Sequence, residues 1–384
     1  MSFVKTFNQL DRVQSPALAR FASLIAQDSP VSLESLAHQA RAATLKYFGK
    51  TIRLFAPLYV SNECVNNCSY CGFSRDNPIL RVTLAPEQVV AEARHLVAEG
   101  FRDLLIVSGE HPKFVSVDYL ADVVGRLHEF VPAVSIEVGP MERDEYIPIV
   151  QAGAEGLVVY QETYDREVYG RVHTAGPKKD FDWRLETAER GYAAGFRRLG
   201  VGALLGLADW RNEAISVAAH CDYLLRHCWK ARVTVAFPRL RPAAGGFHPT
   251  HPVDDRDFVR LLCAMRVVFP HVGIVLSTRE PRHLRDGLVP LGVTAMSAGA
   301  KTEPGGYTGA GKERVHLTVA GRAQEEGCDQ SVQSAKPFEE DSSLTPAEEQ
   351  FRISDTRSAS EMALHLRSMG YEAVWKDWDT SLSS

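Results

Sequence analysis

Three cysteines close together are the residues of this chain with the clearest chemical meaning. Cys64, Cys68 and Cys71 occupy positions i, i+4 and i+7 of one segment, directly after an apolar run. Clustered thiolates select zinc or an iron–sulfur cluster. A structural zinc site normally takes a fourth ligand, and no Cys or His nearby supplies one. A loop with this spacing can place three thiolates on three corners of a cubane. The sequence therefore favours an iron–sulfur cubane with one open iron over zinc, or over three unrelated buried thiols.

The segments around these cysteines predict alternating strands and helices. Eight short, β-branched apolar runs are typical of parallel strands buried on both faces; they cover residues 52–60, 103–109, 134–139, 156–161, 198–205, 232–238, 272–277 and 293–298. Helical periodicity fills most of the intervals, as over 86–100, 118–130, 182–195, 212–229 and 254–269. Eight strand–helix repeats predict an α/β fold, a (β/α)8 TIM-type barrel. A doubly wound open sheet is the structural alternative.

Four regions follow from this pattern. Residues 1–50 are predicted as helices packed outside the barrel, and 51–303 as the barrel itself. Residues 304–350 are rich in Gly, Glu, Gln and Ser and are predicted as a mobile loop. Residues 351–384 form a C-terminal extension, with an aromatic tail after a helix over 355–369. We expect Ser354 or Asp355 to cap that helix and Gly370 to end it.

Composition excludes several classes of protein. Among 384 residues, 43 Lys and Arg against 48 Asp and Glu give a net charge of −5, whereas nucleic-acid binders are usually basic. No apolar run approaches the roughly 20 residues that span a membrane, and the first residues contain no secretory apolar core. Seven cysteines without an export signal argue against a disulfide framework. We therefore expect a cytoplasmic protein that binds neither nucleic acid nor membrane.

The CxxxCxxC spacing at the end of the first strand resembles the radical SAM family, whose open iron binds the amino and carboxylate groups of S-adenosylmethionine (SAM). The likeness covers about residues 50–310 and 350–379. It rests on residues 55–75 (FAPLYVSNECVNNCSYCGFSR), 105–112 (LIVSGEHP), 158–169, 173–211, 237–243, 276–281, 297–307 and 374–379 (VWKDWD). Together these segments resemble the tyrosine lyase family of thiamine biosynthesis, the 2-iminoacetate synthases.

This resemblance implies a specific reaction. It implies one [4Fe–4S] cluster on the three cysteines, and cleavage of the Cα–Cβ bond of L-tyrosine to 2-iminoacetate (dehydroglycine) and p-cresol. SAM would give 5′-deoxyadenosine and methionine, and 2-iminoacetate would feed thiazole formation. A thiazole synthase is the implied protein partner, and flavodoxin or ferredoxin the electron donor.

Two alternatives to this reaction stay open. One is a related radical SAM aromatic amino-acid lyase, of the hydrogenase-maturation or tryptophan type. The hydrogenase-maturing relative carries a second cysteine cluster in a C-terminal extension, whereas here only Cys328 lies beyond Cys263. The other alternative is a non-catalytic iron–sulfur or zinc scaffold.

Residues near the first two strand ends are candidate cofactor ligands, because active sites of such barrels lie at the carboxyl ends of the strands. Ser108, Gly109 and Glu110 resemble the segment that binds the methionyl ammonium of SAM; a carboxylate exposed in a loop is the alternative for Glu110. Tyr70 resembles the position beside the adenine ring. An aromatic side chain packed on the cysteine loop is the alternative there.

Two further pairs of residues are also candidates for cofactor contacts. Glu137 and Glu162 stand at or near the ends of strands three and four, where an acid is costly to bury unless it is paired. We expect contacts to SAM ribose or to the substrate ammonium, with an internal salt bridge as the alternative. Gly202 and Gly206 in the fifth strand would let a cofactor approach the backbone, although tight packing also requires glycine.

Arginines after strands six and seven are the candidate substrate anchors, because a guanidinium holds a carboxylate bidentately. Arg239 and Arg241 follow the sixth strand, and Arg279 follows the seventh in Ser-Thr-Arg-Glu. In related aromatic amino-acid lyases an arginine at this motif resembles the anchor for the substrate carboxylate. Arg279 is therefore favoured, with a structural pair to Glu280 or Glu303 as the alternative.

The remaining candidates carry weaker signals, and no catalytic residue is identified. The weaker substrate candidates are Ser277, Ser297 and Lys301. Three cysteines on apolar helical faces, Cys221, Cys228 and Cys263, are predicted as buried small hydrophobes. Cys328 is predicted as an exposed thiol in the mobile loop. The spacing of the loop histidines His111, His173 and His248 marks no metal site.

Overall fold

A closed barrel of parallel strands forms the centre of the protein, in a computed structural model that describes residues 2–8, 15–323 and 347–375. The strands within these ranges are β1 (Thr51–Ser61), β2 (Asn67–Cys68), β3 (Ile79–Arg81), β4 (Asp103–Ser108), β5 (Ala133–Glu137), β6 (Ala154–Val158), β7 (His173–Ala175), β8 (Arg198–Gly202), β9 (Arg232–Ala236), β10 (Gly273–Leu276), β11 (Ala295–Ser297), β12 (His316–Val319), β13 (Arg322–Ala323) and β14 (Glu372–Val374). The barrel order is β1-β4-β5-β6-β8-β9-β10-β11, and β11 pairs with β1 to close it. Closure excludes the doubly wound open sheet.

The helices lie outside this barrel. They are α1 (Phe3–Phe7), α2 (Pro16–Ile25), α3 (Leu33–Phe48), α4 (Pro86–Ala98), α5 (Val117–His128), α6 (Arg143–Gln151), α7 (Arg166–Val172), α8 (Phe181–Leu185), α9 (Thr187–Ala194), α10 (Trp210–His227), α11 (Asp255–Val268), α12 (Arg282–Leu288) and α13 (Ala359–Ser368). Short 3-10 turns occur at Pro177–Lys179, Val289–Leu291 and Lys312–Arg314. No helix in the described ranges is long and apolar enough to cross a membrane.

The eight predicted barrel strands are all present, with ends within three residues of the predicted ones. Their side chains are buried both inside the barrel and under the helices, which explains why the runs are apolar throughout. The helix predicted over 182–195 is divided into α8 and α9 at Glu186. Asp209 shows how a local sequence starts a helix, because its carboxylate accepts from the backbone N–H groups of Arg211 and Asn212, both at 3.1 Å, at the start of α10.

The described part of the predicted loop 304–350 contains regular structure at its start. β12 pairs antiparallel with β3, directly after the cysteine segment, and with β13. The mobility of this region and the proposed domain boundaries remain predictions. Cys328 and the last residues of the aromatic tail, including Trp378, lie outside the described residues.

The start of the C-terminal helix differs from the prediction. α13 begins at Ala359, and Ser358 is its cap: the Ser358 hydroxyl accepts from the backbone N–H of Glu361, whose carboxylate accepts from the N–H of Ser358. Asp355 cannot cap a helix because its carboxylate is buried between the guanidinium groups of Arg285 and Arg357. The chain then passes Gly370 and adds β14 beside the first residues of β1.

Candidate active site

The cysteine loop follows β1 and is held by a buried arginine. Arg81 is 1% exposed, and its guanidinium donates to three carbonyl oxygens of the loop, those of Asn62 (2.5 Å), Phe73 (3.0 Å) and Ser74 (2.7 Å). The Ser74 hydroxyl accepts from the backbone N–H of Cys68 at 3.1 Å. These bonds satisfy the buried guanidinium and fix the backbone that presents the thiols.

The thiols in this loop suit an iron–sulfur cluster. Cys68 is buried, and Cys64 and Cys71 are partly exposed. Burial raises the pKa of Cys68 and Cys71, and the neighbouring thiolates raise both pKa values further. Iron ions would supply the positive charge that three such thiolates need. In the described part of the chain, no three His, Cys, Asp or Glu side chains converge on a single metal ion. The three ligands of a cubane each bind a different iron, and three thiols on one loop are the donor type that such a cluster takes.

Tyr70 belongs to the cysteine loop, and its side chain lines the pocket described below. Burial, with Lys178 nearby, lowers the pKa of His173 to about 3, so its ring is neutral. The Nδ1–H of His173 donates to the Tyr169 carbonyl at 2.9 Å, which leaves Nε2 to accept from the Tyr70 hydroxyl at 2.8 Å. Tyr70 thus packs on the cysteine loop and also lines the pocket. A role beside the adenine ring remains a prediction.

A pocket opens at the carboxyl ends of the barrel strands, next to Cys71. Its walls include Tyr59 on β1, Glu137 at the end of β5, Glu162 after β6 and Arg279 after β10. The structure therefore brings three predicted residues, Glu137, Glu162 and Arg279, from widely separated parts of the sequence to one cavity. Cys71 and a set of polar side chains thus line the same cavity, as in a typical ligand-binding pocket.

Glu162 forms the internal salt bridge that the sequence left as an alternative. Its Oε1 lies 2.7 Å from Nζ of Lys178 and 3.4 Å from Nη2 of Arg184. Although burial acts to raise the pKa of Glu162, these two cations bring it below its usual value. The backbone of Glu162 is left-handed, with φ of 73°, which is unfavourable for a residue other than glycine. Such an outlier in a pocket wall is a feature of functional sites.

Glu137 differs from Glu162 in having neither an ion-pair partner nor a hydrogen-bond donor among the described residues. Burial, and then the Glu162 carboxylate, raise the pKa of Glu137 to about 7, while Arg279 opposes the shift. The group therefore changes charge near neutral pH. A buried carboxyl with this property in a pocket is a candidate for substrate binding or proton transfer.

Arg279 pairs with neither Glu280 nor Glu303. Its guanidinium lies over the ring of Phe351, 3.3 Å from the ring centroid, and burial lowers its pKa. Its backbone N–H donates to the Ser277 hydroxyl at 3.4 Å. Stacking on an aromatic face fixes the plane of the guanidinium and leaves its N–H groups directed along that plane. Arg279 thus has the geometry of a carboxylate anchor.

The other two predicted anchors, Arg239 and Arg241, both form an ion pair with Glu280. Arg239 donates from Nε to Oε2 of Glu280 at 2.9 Å, and Arg241 donates from Nη2 to the same oxygen at 3.0 Å. Arg239 also contacts Asp255 at 2.8 Å. Glu280 is 1% exposed, so its charge must be balanced by these arginines. Both arginines thus pair with Glu280, and the expected substrate contacts of Arg239 and Arg241 stay a prediction.

The segment Ser108–Glu110 binds the cysteine loop from the neighbouring strand. A Cβ atom at Gly109 would lie 2.2 Å from the Glu63 carbonyl oxygen, so only glycine permits this approach. The Glu110 carboxylate accepts from the Asn66 amide at 2.7 Å, and is therefore not a free carboxylate in a loop. The Ser108 hydroxyl is buried without a hydrogen-bond partner among the described residues, and all three residues line a second pocket.

The two predicted glycines serve packing. A Cβ atom at Gly202 would lie 2.1 Å from the Ala236 carbonyl oxygen of the adjacent strand. Gly206 has φ of 115°, and a Cβ atom there would lie 2.9 Å from the Leu240 side chain. Neither glycine is among the residues of the two pockets at the strand ends. These contacts support the tight packing that the sequence left as the alternative, and a cofactor contact to either glycine stays a prediction.

The weaker candidates have varied positions. Ser277 and Ser297 line the main pocket, and the Ser297 hydroxyl accepts from the Thr278 backbone N–H at 3.1 Å. Lys301 is exposed, outside the pocket lining. Cys221, Cys228 and Cys263 are buried as predicted.

Several pocket residues were not identified from the sequence. They are Tyr59, Lys178, Arg184, Gln350 and Phe351; Arg184 reaches Glu162, and the others line the cavity directly. The sequence does contain a signal for Lys178. It follows Gly176 and Pro177 in a loop directly after a strand, and charged residues in such loops are candidates for a site. No local signal marks Gln350 or Phe351, because they reach the pocket from the far end of the chain.

Comparisons with known proteins match nearly the whole chain. The radical SAM superfamily model matches residues 58–216, and the biotin and thiamin synthesis associated domain matches residues 236–372. The 2-iminoacetate synthase of Escherichia coli strain K12 is 37% identical over 382 residues, covering 98% of this chain and 92% of that protein. The enzyme of the same name from Salmonella typhimurium is 36% identical over the same length.

Solved structures share the whole fold. The FeFe-hydrogenase maturase HydG from Carboxydothermus hydrogenoformans superposes with a TM-score of 0.80 at 32% identity, covering 97% of this chain and 79% of that one. Methylornithine synthase (PylB), at 18% identity, superposes with a TM-score of 0.70 over 98% of this chain and shows the likeness of fold alone.

Proposed function

Since the chain belongs to the 2-iminoacetate synthase family of radical SAM carbon–carbon lyases, we propose that it cleaves the Cα–Cβ bond of L-tyrosine. The products would be 2-iminoacetate and p-cresol, with SAM converted to 5′-deoxyadenosine and methionine, in thiamine thiazole biosynthesis. The observation that carries this proposal is the pocket in which Cys71, Glu137 and Arg279 face one cavity.

Three residues of the loop hold the cluster in this proposal, and the pocket holds the amino acid. Cys64, Cys68 and Cys71 would hold a [4Fe–4S] cluster, which together with bound SAM would supply the radical chemistry. The protein contributes binding, orientation and exclusion of water, as in other cofactor enzymes. Ser108, Gly109 and Glu110 are the proposed contacts to the amino-acid part of SAM, and Tyr70 the contact to its adenine.

Two charged groups orient the substrate. Arg279, stacked on Phe351, binds the tyrosine carboxylate through its N–H groups. Glu137 binds the tyrosine ammonium and can accept a proton from it, because its pKa of about 7 lies near neutral pH. The charge of Glu162 is already balanced by Lys178 and Arg184. Glu137 is therefore the carboxylate that we assign to the substrate ammonium.

Product analysis tests this function directly. Anaerobically reconstituted protein with about four irons per chain is incubated with reductant, SAM and each aromatic amino acid in turn. We expect p-cresol and glyoxylate, the last from hydrolysis of 2-iminoacetate, with tyrosine only, accompanied by 5′-deoxyadenosine from SAM. Catalytic carbon monoxide and cyanide from tyrosine would instead assign a hydrogenase-maturing activity. Turnover of tryptophan would assign the other lyase type, and no 5′-deoxyadenosine at all would leave a scaffold.

Two protein partners belong to the proposal. 2-Iminoacetate hydrolyses readily, which favours direct transfer to a thiazole synthase. Conversion of SAM to methionine and 5′-deoxyadenosine beside the redox-neutral cleavage of tyrosine consumes two electrons and one proton per turnover, and a flavodoxin or a ferredoxin would supply these electrons. Co-purification with each, and p-cresol formation with each reduced donor, would measure these interactions. We place the reaction in the cytoplasm as part of the same proposal.

A further inference from the structure

A segment from the C-terminal part of the chain crosses the end of the barrel. We call residues 347–357 the C-terminal strap. Four alternate backbone N–H groups of the strap donate to carbonyl oxygens of four different parts of the barrel: Glu348 to Leu80 (3.0 Å), Gln350 to Thr302 (3.0 Å), Arg352 to Pro242 (3.0 Å) and Ser354 to Thr278 (2.8 Å). These four hydrogen bonds fix the position of the strap over the pocket.

Gln350 is the strap residue that reaches both the cysteine loop and the pocket. Its Oε1 accepts from the Tyr59 hydroxyl at 2.7 Å, and its Nε2 donates to Sγ of Cys71 at 3.9 Å. Its backbone carbonyl accepts from the N–H of Gly72 at 3.2 Å. A Cβ atom at Gly72 would lie 2.6 Å from that carbonyl oxygen, so glycine is required beside the cysteine.

The chemistry of the neighbours determines how the Gln350 amide is oriented. A thiolate bound to iron accepts hydrogen bonds and cannot donate one, so the NH2 end of the amide must face Cys71. The carbonyl end then faces Tyr59, whose hydroxyl has a proton to donate. Burial raises the pKa of Tyr59, which keeps that proton in place. The three groups thus form a directed chain from the pocket wall to a cluster ligand.

We propose that Gln350 is a positioning residue that sets the reduction potential of the cluster, an inference that rests on the proposed function. A reduced cluster carries more negative charge on its sulfur ligands, so an N–H donor stabilises the reduced state more than the oxidised state. Hydrogen bonds to the sulfurs are among the determinants of iron–sulfur potentials. Tyr59 holds the amide in its donating orientation, and it also lines the substrate pocket.

The test is a redox titration of reconstituted protein without tyrosine, followed by electron paramagnetic resonance. Gln350→Leu removes the donor, and we expect its potential to fall enough to change the ratio of reduced to oxidised cluster about tenfold, or about 59 mV for one electron. Gln350→Glu keeps the size and adds a negative charge beside the sulfur, so its potential should fall further. Tyr59→Phe should shift the potential in the same direction by less.

A matched control separates this effect from the substitution itself. Gln39 on α3 donates its amide to the Ser35 hydroxyl of the same helix, and Gln39→Leu should leave the potential unchanged. Potentials of both Gln350 variants equal to that of the original protein, at equal iron content, would overturn the proposal. If either variant fails to load iron, Tyr59→Phe decides, because it leaves the strap backbone intact. Formation of p-cresol by the original protein is measured separately, so each proposal can fail alone.

Discussion

Two groups of buried charges in this protein are balanced in different ways. Under α12, the side chains of Arg285 and Asp355 are 0% and 1% exposed, and they lie 2.5 Å apart. Arg357 completes the group at 2.6 Å from Asp355 and 2.8 Å from Asp286. In the pocket, by contrast, Glu137 has no ionic partner among the described residues and Arg279 stacks on an aromatic ring. The first group fastens the C-terminal strap to the barrel, and the second leaves opposite charges available to a bound amino acid.

The cysteine loop provides the largest expected effect in the pocket region. Cys64→Ala, Cys68→Ala and Cys71→Ala should each abolish both the cluster absorbance and SAM cleavage. The loop contains no fourth cysteine that could replace a lost ligand. Visible absorbance and 5′-deoxyadenosine formation measure this. Cys263→Ala, on α11 away from the loop, is the control and should keep both. Normal turnover in any of the three loop variants would exclude the cluster assignment.

Removing the charge of Asp355 from its buried contacts with Arg285 and Arg357 should lower the stability of the fold. Asp355→Asn removes the charge between two buried guanidinium groups, and loss of one partner of a buried pair costs about 3–5 kcal/mol. The melting temperature and the urea midpoint should both fall. Asp122→Asn breaks an exposed pair with Arg126, which contributes about 0–1 kcal/mol. This control should therefore leave the melting temperature and the urea midpoint nearly unchanged. Equal stability of the two variants would mean that the Arg285–Asp355 pair is not needed to hold the strap.

Removing a charge from the pocket should act on binding. Arg279→Gln takes away the proposed carboxylate anchor, which is worth about 1.5–3 kcal/mol, or about ten- to a hundred-fold in tyrosine affinity. SAM cleavage should continue but become uncoupled from p-cresol formation. Melting temperature should change little, since this guanidinium has no ionic partner to leave behind. Unchanged tyrosine affinity would assign the carboxylate to another group.

The smallest effect concerns pH. The pKa of Glu137 is raised to about 7, so the side chain is neutral at pH 6 and ionised at pH 8. If it binds the tyrosine ammonium, affinity should rise about tenfold from pH 6 to pH 8. The contribution of Glu137 to the stability of the fold has the opposite sign. Because the pKa is raised in the folded state, this contribution is fully present below the ordinary pKa near 4.5 and is lost as the pH rises through 7. Glu137→Gln should flatten both profiles, and an affinity profile unaffected by this change would remove Glu137 from ammonium binding.

Local sequence predicts the parts of the molecule that local interactions build. The barrel strands depend on runs of apolar residues, and the cysteine spacing lies within eight residues, so both could be identified. The pairing of Arg239 and Arg241 with Glu280 could not, because it depends on how two neighbouring strand ends meet. Asp355 has the right residue type for a helix cap, and only the position of the Arg285 side chain excludes that role.

The strap also sets an order of events during synthesis. Gln350 lies 279 residues after Cys71 and 291 after Tyr59, so these contacts form only when nearly all of the barrel has left the ribosome. The cysteine loop, together with Arg81 that holds it, is complete far earlier. Until the strap is present, Cys71 lacks the Gln350 amide that contacts its sulfur in the folded protein. The cysteine loop is therefore formed first, and the hydrogen bond to its last thiol is added last.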